Sequence, residues 1–230
     1  IRVRGSDATR VNVTINGIPF NDAEGQGVYW VNMPDLSSST DDIQIQRGVG
    51  ASTTGASAFG ASINLSTLST TNSNKPYGEI SSSYGSFNSL KNTFKVGTGL
   101  IDDKWNFEGR LSKIASDGFI DRASSDLNSY YFSGSYLGEK TSIQALVFSG
   151  NEKTYQSWGG TPLRVLDTNQ TYNPYTYDNQ IDNYTQTHYQ LHLTNKPTKR
   201  IKLNASLHYT RGFGYYESFK DGEALSDYNL

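Results

Sequence analysis

Strict alternation of apolar and polar residues along most of the chain is the feature that most limits its fold. Between residues 200 and 211, one face carries Ile201, Leu203, Ala205, Leu207 and Tyr209, and the other carries Lys202, Asn204, Ser206, His208 and Thr210. The same period recurs in segments 89–101, 104–115, 128–138, 141–150 and 184–196. A period of two places all apolar side chains on one face of an extended strand. We therefore predict a series of amphipathic β-strands of about 10 residues each.

The connections between these strands alternate between short and long. Because the apolar faces must match, the strands beside Asp102-Asp103 and beside Glu139-Lys140 require an even loop of two residues. The same argument predicts an odd loop around Pro197-Thr198-Lys199. The other connections are long and rich in Tyr, Asn, Asp and Gly, and they cover residues 116–127, 151–183 and 212 onward. This pattern is typical of a bacterial outer-membrane barrel, whereas a soluble sandwich does not need it.

The N-terminal part of the chain follows a different pattern. Residues 11–15 alternate as a strand and end in a turn at Asn16-Gly17. A short helix over 35–39, with Pro34 at its first turn, is followed by a strand at 43–46. Between Asp42 and Leu65 a glycine-rich loop separates two strands, but no Lys-Ser/Thr follows the glycines, so a phosphate-binding loop is excluded. We predict a small mixed domain here.

Composition excludes several functional classes. The net charge of −2 provides no electrostatic basis for a nucleic-acid partner, and the absence of cysteine removes disulfides and thiolate sites. No segment approaches the roughly 18 consecutive apolar residues of a membrane helix. His188 and His192 are four apart on a predicted strand, about 13 Å, and cannot share one metal ion. We predict no enzymatic activity, no catalytic residue, no cofactor and no metal.

Four motifs in the N-terminal part resemble, in order, the plug domain of TonB-dependent outer-membrane receptors. They are Ile1-Arg2-Val3-Arg4-Gly5, then Val13-Thr14-Ile15-Asn16-Gly17-Ile18-Pro19, then Ile43-Gln44-Ile45-Gln46-Arg47-Gly48, and finally Gly55 with Phe59-Gly60-Ala61 and Ile63-Asn64-Leu65. Residues 116–158 resemble the Bacteroidetes branch of the family. The resemblance implies a mainly β fold.

That fold is a partial α+β plug followed by antiparallel meander strands of a transmembrane β-barrel. The implied domains are a plug over 1–70, a linker over 71–76, and barrel strands over 77–230. The family barrel has about 22 strands, whereas about seven are recognisable here. The closing strands, the start of the plug and the TonB box are expected outside this sequence.

The resemblance also implies roles for two plug arginines. Arg4 and Arg47 match the pair that, in the family, binds barrel glutamates and holds the plug in the barrel. Their glutamate partners are not identified in this sequence. The alternative is that either arginine simply caps a polar sheet edge.

Two aromatic segments are candidate ligand contacts. Val28, Tyr29 and Trp30 occupy the position that leads to the plug apex, where an aromatic cluster would offer stacking and apolar contact; alternatively, Trp30 packs as plug core under the 35–39 helix. In the long loop 151–183, the residues Tyr155, Trp158 and Arg164 are candidate vestibule contacts. Alternatively, this loop folds over its neighbours.

The function implied by the resemblance is TonB-dependent active transport across the bacterial outer membrane. A ferric siderophore or other iron chelate is the first candidate ligand, and glycan, cobalamin or peptide are alternatives. The implied partners are TonB with its inner-membrane energising complex, outer-membrane lipid and a surface lipoprotein. An alternative of another class is a soluble secreted β-sandwich that binds or hydrolyses glycans, with its apolar strand faces buried against a second sheet.

Overall fold

The computed structural model describes residues 2–49, 58–67 and 75–230. These residues form a four-stranded mixed sheet and a seven-stranded antiparallel sheet, which confirms the predicted fold class. Gly50, Gly55 and residues 71–74 of the predicted linker lie outside the described residues. The domain limits at residues 70 and 77 therefore stay predictions.

The N-terminal unit consists of the four-stranded sheet and the segments around it, within the described residues 2–49 and 58–67. Its spatial order is β2-β1-β4-β3, with β1 Val11–Ile15, β2 Ile18–Pro19, β3 Asp42–Arg47 and β4 Ala61–Ser66. The central strand β1 pairs in parallel with β4 and buries all of its residues except half-buried Thr14. In the described part of this unit, short 3-10 helices lie at Ala8–Arg10, Trp30–Asn32 and Leu36–Ser39. The last confirms the helix predicted over 35–39.

The seven-stranded sheet, called here the large sheet, is a simple meander in which each strand pairs with the next. Its strands are β5 Tyr77–Gly85, β6 Ser89–Gly97, β7 Trp105–Ser116, β8 Ser125–Leu137, β9 Thr141–Tyr155, β10 Ile181–Thr198 and β11 Ile201–Tyr216. The helix α1, Leu163–Leu166, lies in the β9–β10 connection, and a 3-10 helix, Leu225–Tyr228, follows β11. The predicted meander of about seven strands is confirmed.

The three turns for which a loop parity was predicted have different outcomes: one matches, one does not, and the third matches because of a bulge. Glu139-Lys140 is a two-residue turn as predicted, closed by the Gly138 amide donating to the Thr141 carbonyl at 2.8 Å. At Asp102-Asp103, both residues have positive φ, but Ile101 pairs with Trp105, so this connection has three residues rather than the predicted two. Around residues 197–199 we predicted a loop with an odd number of residues. The structure has a two-residue turn there, and the additional residue forms a bulge between Asn195 and Thr198.

The large sheet is polar towards the N-terminal unit and apolar on its other face. Polar side chains such as Thr93, Arg110 and Ser129 are buried, whereas Leu207 and Ile80 are exposed. This distribution is the reverse of that in a soluble domain, where exposed apolar patches of this extent are rare. Among the described residues, no helix is long and apolar enough to cross a membrane.

One apolar core joins the two sheets. Val11, Val13, Ile15, Ile63 and Leu65 of the N-terminal unit pack in one cluster with Tyr131, Leu146 and Phe148 of the large sheet. The cluster forms because β8 and β9 replace polar residues with large apolar ones at a few inward positions. Packing at these positions sets where the N-terminal unit sits on the sheet.

Strands β9 and β10 are longer than predicted, with 15 and 18 residues. Most of the extra residues, 151–155 of β9 and 181–183 of β10, lie at the ends that lead into the long connection, where the outer face becomes polar at Asn151 and Asn183. Alternation of hydropathy ends there, but backbone pairing continues. The sequence pattern therefore detects the apolar part of each strand rather than its full length.

Candidate ligand vestibule and interdomain contacts

A cavity of about 610 Å³ lies between the N-terminal unit and the large sheet, at the end where the long connections leave. We call it the vestibule. The N-terminal unit lines it with Phe20, Asp22, Gly27, Tyr29, Val31 and Asn32, and the other side is formed by Glu152, Trp158, Asp182, Tyr184, Gln186 and Tyr216. Its walls therefore combine aromatic rings with carboxylates, which suits a ligand that both stacks and makes polar contacts.

The loop that reaches the vestibule is held by Asn21. Its side-chain amide donates to the Val11 carbonyl at 2.9 Å, and its oxygen accepts the Val13 amide at 2.7 Å. Beyond it, the Asp22 amide donates to the Gly27 carbonyl and closes a compact loop. Tyr29 follows this loop and is 62% exposed, so its ring is available at the cavity surface.

The opposite wall depends on the register between β9 and β10. Tyr184 pairs with Glu152, and Asp182 pairs with Thr154. Because side chains alternate between faces, Glu152, Asp182 and Tyr184 share the inward face. Glu152 accepts a hydrogen bond from the Thr154 hydroxyl at 3.2 Å.

The vestibule wall built by the described residues is acidic. Asp22, Glu152 and Asp182 line it, and none of its described lining residues is lysine or arginine. A cleft lined by one sign of charge attracts ligands of the opposite sign. Trp158 and Tyr216 complete this wall, with ring centroids 5.8 Å apart in an edge-to-face arrangement.

The structure brings together some of the predicted ligand contacts and separates others. Tyr29 and Trp158 line the same vestibule, although they are far apart in sequence. Val28 and Trp30 instead pack against the apolar core, as the alternative for Trp30 supposed. Tyr155 is buried and donates its hydroxyl to the Tyr177 carbonyl at 2.7 Å. Arg164 is exposed on α1, away from the vestibule lining.

Sequence reasoning missed Glu152 and Tyr184 as vestibule contacts, and it considered Asp182 only as one residue of the long loop 151–183. The available signal was strand parity extended beyond the apolar segments, which gives Glu152, Asp182 and Tyr184 the inward face. Parity alone does not reveal that β9 and β10 place them at the same height. That information came from the register.

Asp35 makes the main polar contact between the N-terminal unit and the large sheet. Its side chain is 1% exposed and accepts hydrogen bonds from Lys91 at 2.5 Å, Ser112 at 2.5 Å and Thr93 at 2.9 Å. Arg110, whose side chain is 3% exposed, approaches the same carboxylate at 3.4 Å and donates to Ser39 at 2.6 Å. A buried carboxylate with this many donors forms a specific attachment between the two sheets.

Acid is expected to weaken this attachment. Burial alone would raise the pKa of Asp35, but hydrogen bonds from Lys91, Ser112, Ser38 and Thr93 outweigh it and lower the pKa from 3.8 to about 2. Because the pKa of Asp35 is lower in the folded protein than in the unfolded chain, the ionised carboxylate stabilises the contact by about 2 kcal/mol at pH values above the unfolded pKa. This stabilisation is lost as the pH falls from about 4 to 2 and the carboxylate takes up a proton. Hydrogen exchange of β1 and β4 amides at pH 5 and pH 2.5 measures it. An Asp35→Asn variant should lack this pH dependence, and unchanged dependence would contradict the assignment.

The predicted plug arginines stand apart from this contact. Arg4 and Arg47 are both exposed, and neither makes an ion pair with another described residue. Their predicted barrel glutamates are expected outside this sequence, so their anchoring role stays a prediction. In the Asp35 contact the charges are arranged the other way round from the predicted arginine contacts. Here the carboxylate is on the N-terminal unit and the cations are on the large sheet.

A close backbone approach supports the same interface. A Cβ atom at Gly150 of β9 would overlap the Asn32 carbonyl oxygen and the Pro34 ring. Nearby, the Asn16 amide donates to Gln190 at 3.0 Å, and the Tyr131 hydroxyl donates to the Thr67 carbonyl at 2.9 Å. The N-terminal unit is therefore seated on the large sheet by shape as well as by charge.

No protein-family model matches the sequence, but solved structures with the same fold are known. The closed form of the ferric-catecholate import receptor Fiu from E. coli K12 superposes with a TM-score of 0.74 at 18% identity, over 93% of this chain and 31% of that receptor. The ferric citrate transporter FecA gives 0.71 at 21% identity, over 95% of this chain and 34% of FecA. The siderophore receptor PiuA from Acinetobacter baumannii gives 0.72 at 13% identity, over 91% and 30%.

The chain spans about a third of the length of each of these receptors. Their names describe an import receptor, a transporter and a siderophore receptor. The arrangement expected from the resemblance, a mixed sheet against an antiparallel meander, is the arrangement found. The chain therefore has the fold of the matched part of these receptors, and its mixed sheet and antiparallel meander correspond to a plug and part of a barrel.

Proposed function

We propose that the chain is part of a TonB-dependent transporter that takes up a ferric siderophore or other iron chelate across the bacterial outer membrane. The vestibule is the observation that carries this proposal. It lies between the plug loop and the long connections, and it exposes Tyr29 and Trp158 to the same cavity. The three receptors of the same fold are named for ferric catecholates, ferric citrate and siderophores.

In this proposal the chain supplies binding and gating rather than chemistry. The ligand enters the vestibule from the outside, and TonB with its inner-membrane energising complex pulls the plug. The exposed apolar face of the large sheet contacts outer-membrane lipid. A surface lipoprotein partner and an origin in the Bacteroidetes remain parts of the proposal that rest on the resemblance.

The alternative of a soluble β-sandwich receives less support. Such a fold needs a second sheet over the apolar face of the first. Among the described residues, the N-terminal unit covers the polar face of the large sheet, and the apolar face remains exposed at Leu203, Leu207 and Phe213. A full-length protein that is monodisperse without detergent would favour the sandwich and contradict the transporter.

The negative charge of the vestibule limits the kinds of ligand that we expect it to bind. Asp22, Glu152 and Asp182 disfavour a chelate with several negative charges and favour one that is neutral or carries an ammonium group. Among iron chelates, this points to a hydroxamate chelate with a free amine rather than to a tricarboxylate chelate. Glycan, cobalamin and peptide are the alternative ligands.

Two measurements test this proposal: iron uptake and growth of the parent organism test the function, and chelate binding to receptor variants tests the specificity. Deleting the gene should abolish growth on a limiting iron chelate that the receptor transports. The double variant Glu152→Gln with Asp182→Asn should weaken binding of an ammonium-bearing hydroxamate chelate by about 10-fold, because the negative charge that the two carboxyl groups share is lost. An anionic chelate should not lose affinity.

Asp126→Asn provides the matched control, because Asp126 is an acid on the same sheet that does not line the vestibule. It should leave binding unchanged. Normal iron uptake after deletion would refute the iron assignment, whereas equal weakening of both chelates by the double variant would refute only the charge preference.

A further inference from the structure

A second cavity of about 610 Å³ lies at the opposite end of the large sheet, where the short turns are. Its lining includes five cations and one acid, namely Lys140, Lys196, Lys199, Arg200, Lys202 and Glu139. We call it the basic cleft. The vestibule and the interdomain contacts use none of these residues.

The cleft is formed by two turns held side by side. The Lys196 amide donates to the Lys140 carbonyl at 2.7 Å, which ties the β10–β11 hairpin to the β8–β9 turn. The bulge between Asn195 and Thr198 then bends the strand end. Thr198 also accepts the Arg200 amide at 3.3 Å, within the second turn. The backbone therefore brings charges from two separate turns to one cleft.

The positive charge of the cleft is not neutralised within the described part of the chain. None of its five cations takes part in any of the ion pairs found there. Like charges around one cleft repel each other, and an anion bound among them would relieve this repulsion. Arginine and lysine together are well suited to phosphate oxygens, which accept several charge-assisted hydrogen bonds.

The position of the cleft indicates where that phosphate would come from. Ile201 lines the cleft, and Ile201 and Leu203 are 49% and 58% exposed where the apolar face of β11 begins. A lipid whose headgroup occupies the cleft could thus lay its acyl chains on this face. In outer-membrane barrels, the short turns face the periplasm, so the adjacent lipid belongs to the inner leaflet.

We propose that the basic cleft binds the phosphate headgroup of an anionic phospholipid in the periplasmic leaflet. The lipid would fix the height of the β8–β11 strands in the membrane, because the cations hold the headgroup at the boundary of the apolar face. This inference rests on the proposed membrane location. It does not depend on which ligand the receptor transports.

Native mass spectrometry of the full-length receptor in detergent tests the proposal. Phosphatidylglycerol should be retained in preference to phosphatidylcholine. The triple variant Lys196→Gln, Lys199→Gln, Arg200→Gln should lower phosphatidylglycerol affinity by about 100-fold, and Lys199→Gln alone by about 5-fold, as expected for the loss of surface cations near an anionic lipid. The single variant changes one turn residue and serves if the triple variant does not fold.

A second triple variant provides the control by removing the same charge elsewhere. Lys104→Gln, Lys153→Gln and Lys220→Gln lie outside the cleft and should leave lipid retention unchanged. Equal loss in both triple variants, or no loss in either, would overturn the proposal. Inorganic phosphate binding as tightly as the lipid would show that the cleft takes free phosphate instead. A receptor that incorporates into bilayers without preferring anionic lipid refutes this site alone, whereas failure to incorporate refutes the membrane location.

Discussion

Replacing Asp35 by alanine is expected to loosen the N-terminal unit from the large sheet by about 3 kcal/mol, because a buried ion pair that loses one partner leaves an uncompensated charge. The charge left behind is that of Arg110, whose side chain is 3% exposed. Hydrogen exchange in the full-length receptor measures the effect. Amides of β1 and β4 should exchange about 100-fold faster, since 1.4 kcal/mol corresponds to a factor of ten.

An exposed ion pair on the same sheet provides the control. Lys113 and Asp126 are 43% and 51% exposed, and pairs of this kind contribute roughly 0–1 kcal/mol. Asp126→Ala should therefore leave exchange in β1 and β4 almost unchanged. The double variant Asp35→Leu with Arg110→Met should recover part of the loss, because it removes the stranded charge. Equal protection in Asp35→Ala and the unmodified receptor would contradict the attachment.

The second large effect is expected for Phe148→Ala. This substitution should weaken the packing between the N-terminal unit and the large sheet by about 3–5 kcal/mol. Phe148 is 0% exposed and belongs to the core that both sheets share. Its ring stacks on His188 with centroids 4.8 Å apart, and Phe20 of the N-terminal unit packs on the same imidazole at 5.2 Å. Removing the ring leaves a cavity between the two sheets.

Pulse proteolysis of the receptor in increasing denaturant measures this loss as an earlier cleavage of the N-terminal unit. Phe94→Ala is the matched control, because Phe94 lies on β6 with its ring on the outer face, 45% exposed. It should shift the cleavage midpoint little. If both phenylalanine variants behave alike, the shared core does not hold the two sheets together.

The two kinds of attachment are expected to respond differently to conditions. The Asp35 contact weakens in acid, whereas packing at Phe148 does not depend on a titrating carboxylate. A plug that is to be pulled from its barrel benefits from polar contacts, because water can replace hydrogen bonds as they open. The apolar cluster offers no such replacement. The balance between them sets the work needed to move the N-terminal unit.

Local pattern was sufficient for the elements but not for the candidate site. Trp158 was predicted as a ligand contact and lines the vestibule, yet Tyr155, three residues earlier, is buried beneath Tyr177. Both are aromatic residues at the start of a long loop, and composition does not distinguish them. Trp30 likewise packs on the core while Tyr29 beside it faces the cavity. These outcomes depend on packing partners that are distant in sequence.

The sequence by itself determined the strand meander, the alternation of short and long connections and the polarity of the two faces. These are local properties, because a two-residue period assigns each side chain to a face without reference to any other strand. Only the tertiary structure decided the register that places Glu152 beside Tyr184, the meeting of Tyr29 with Trp158, and the burial of Asp35 among Lys91, Thr93, Arg110 and Ser112. The physical reason is that these contacts join residues far apart in the chain, and their energies depend on how the N-terminal unit packs against the large sheet.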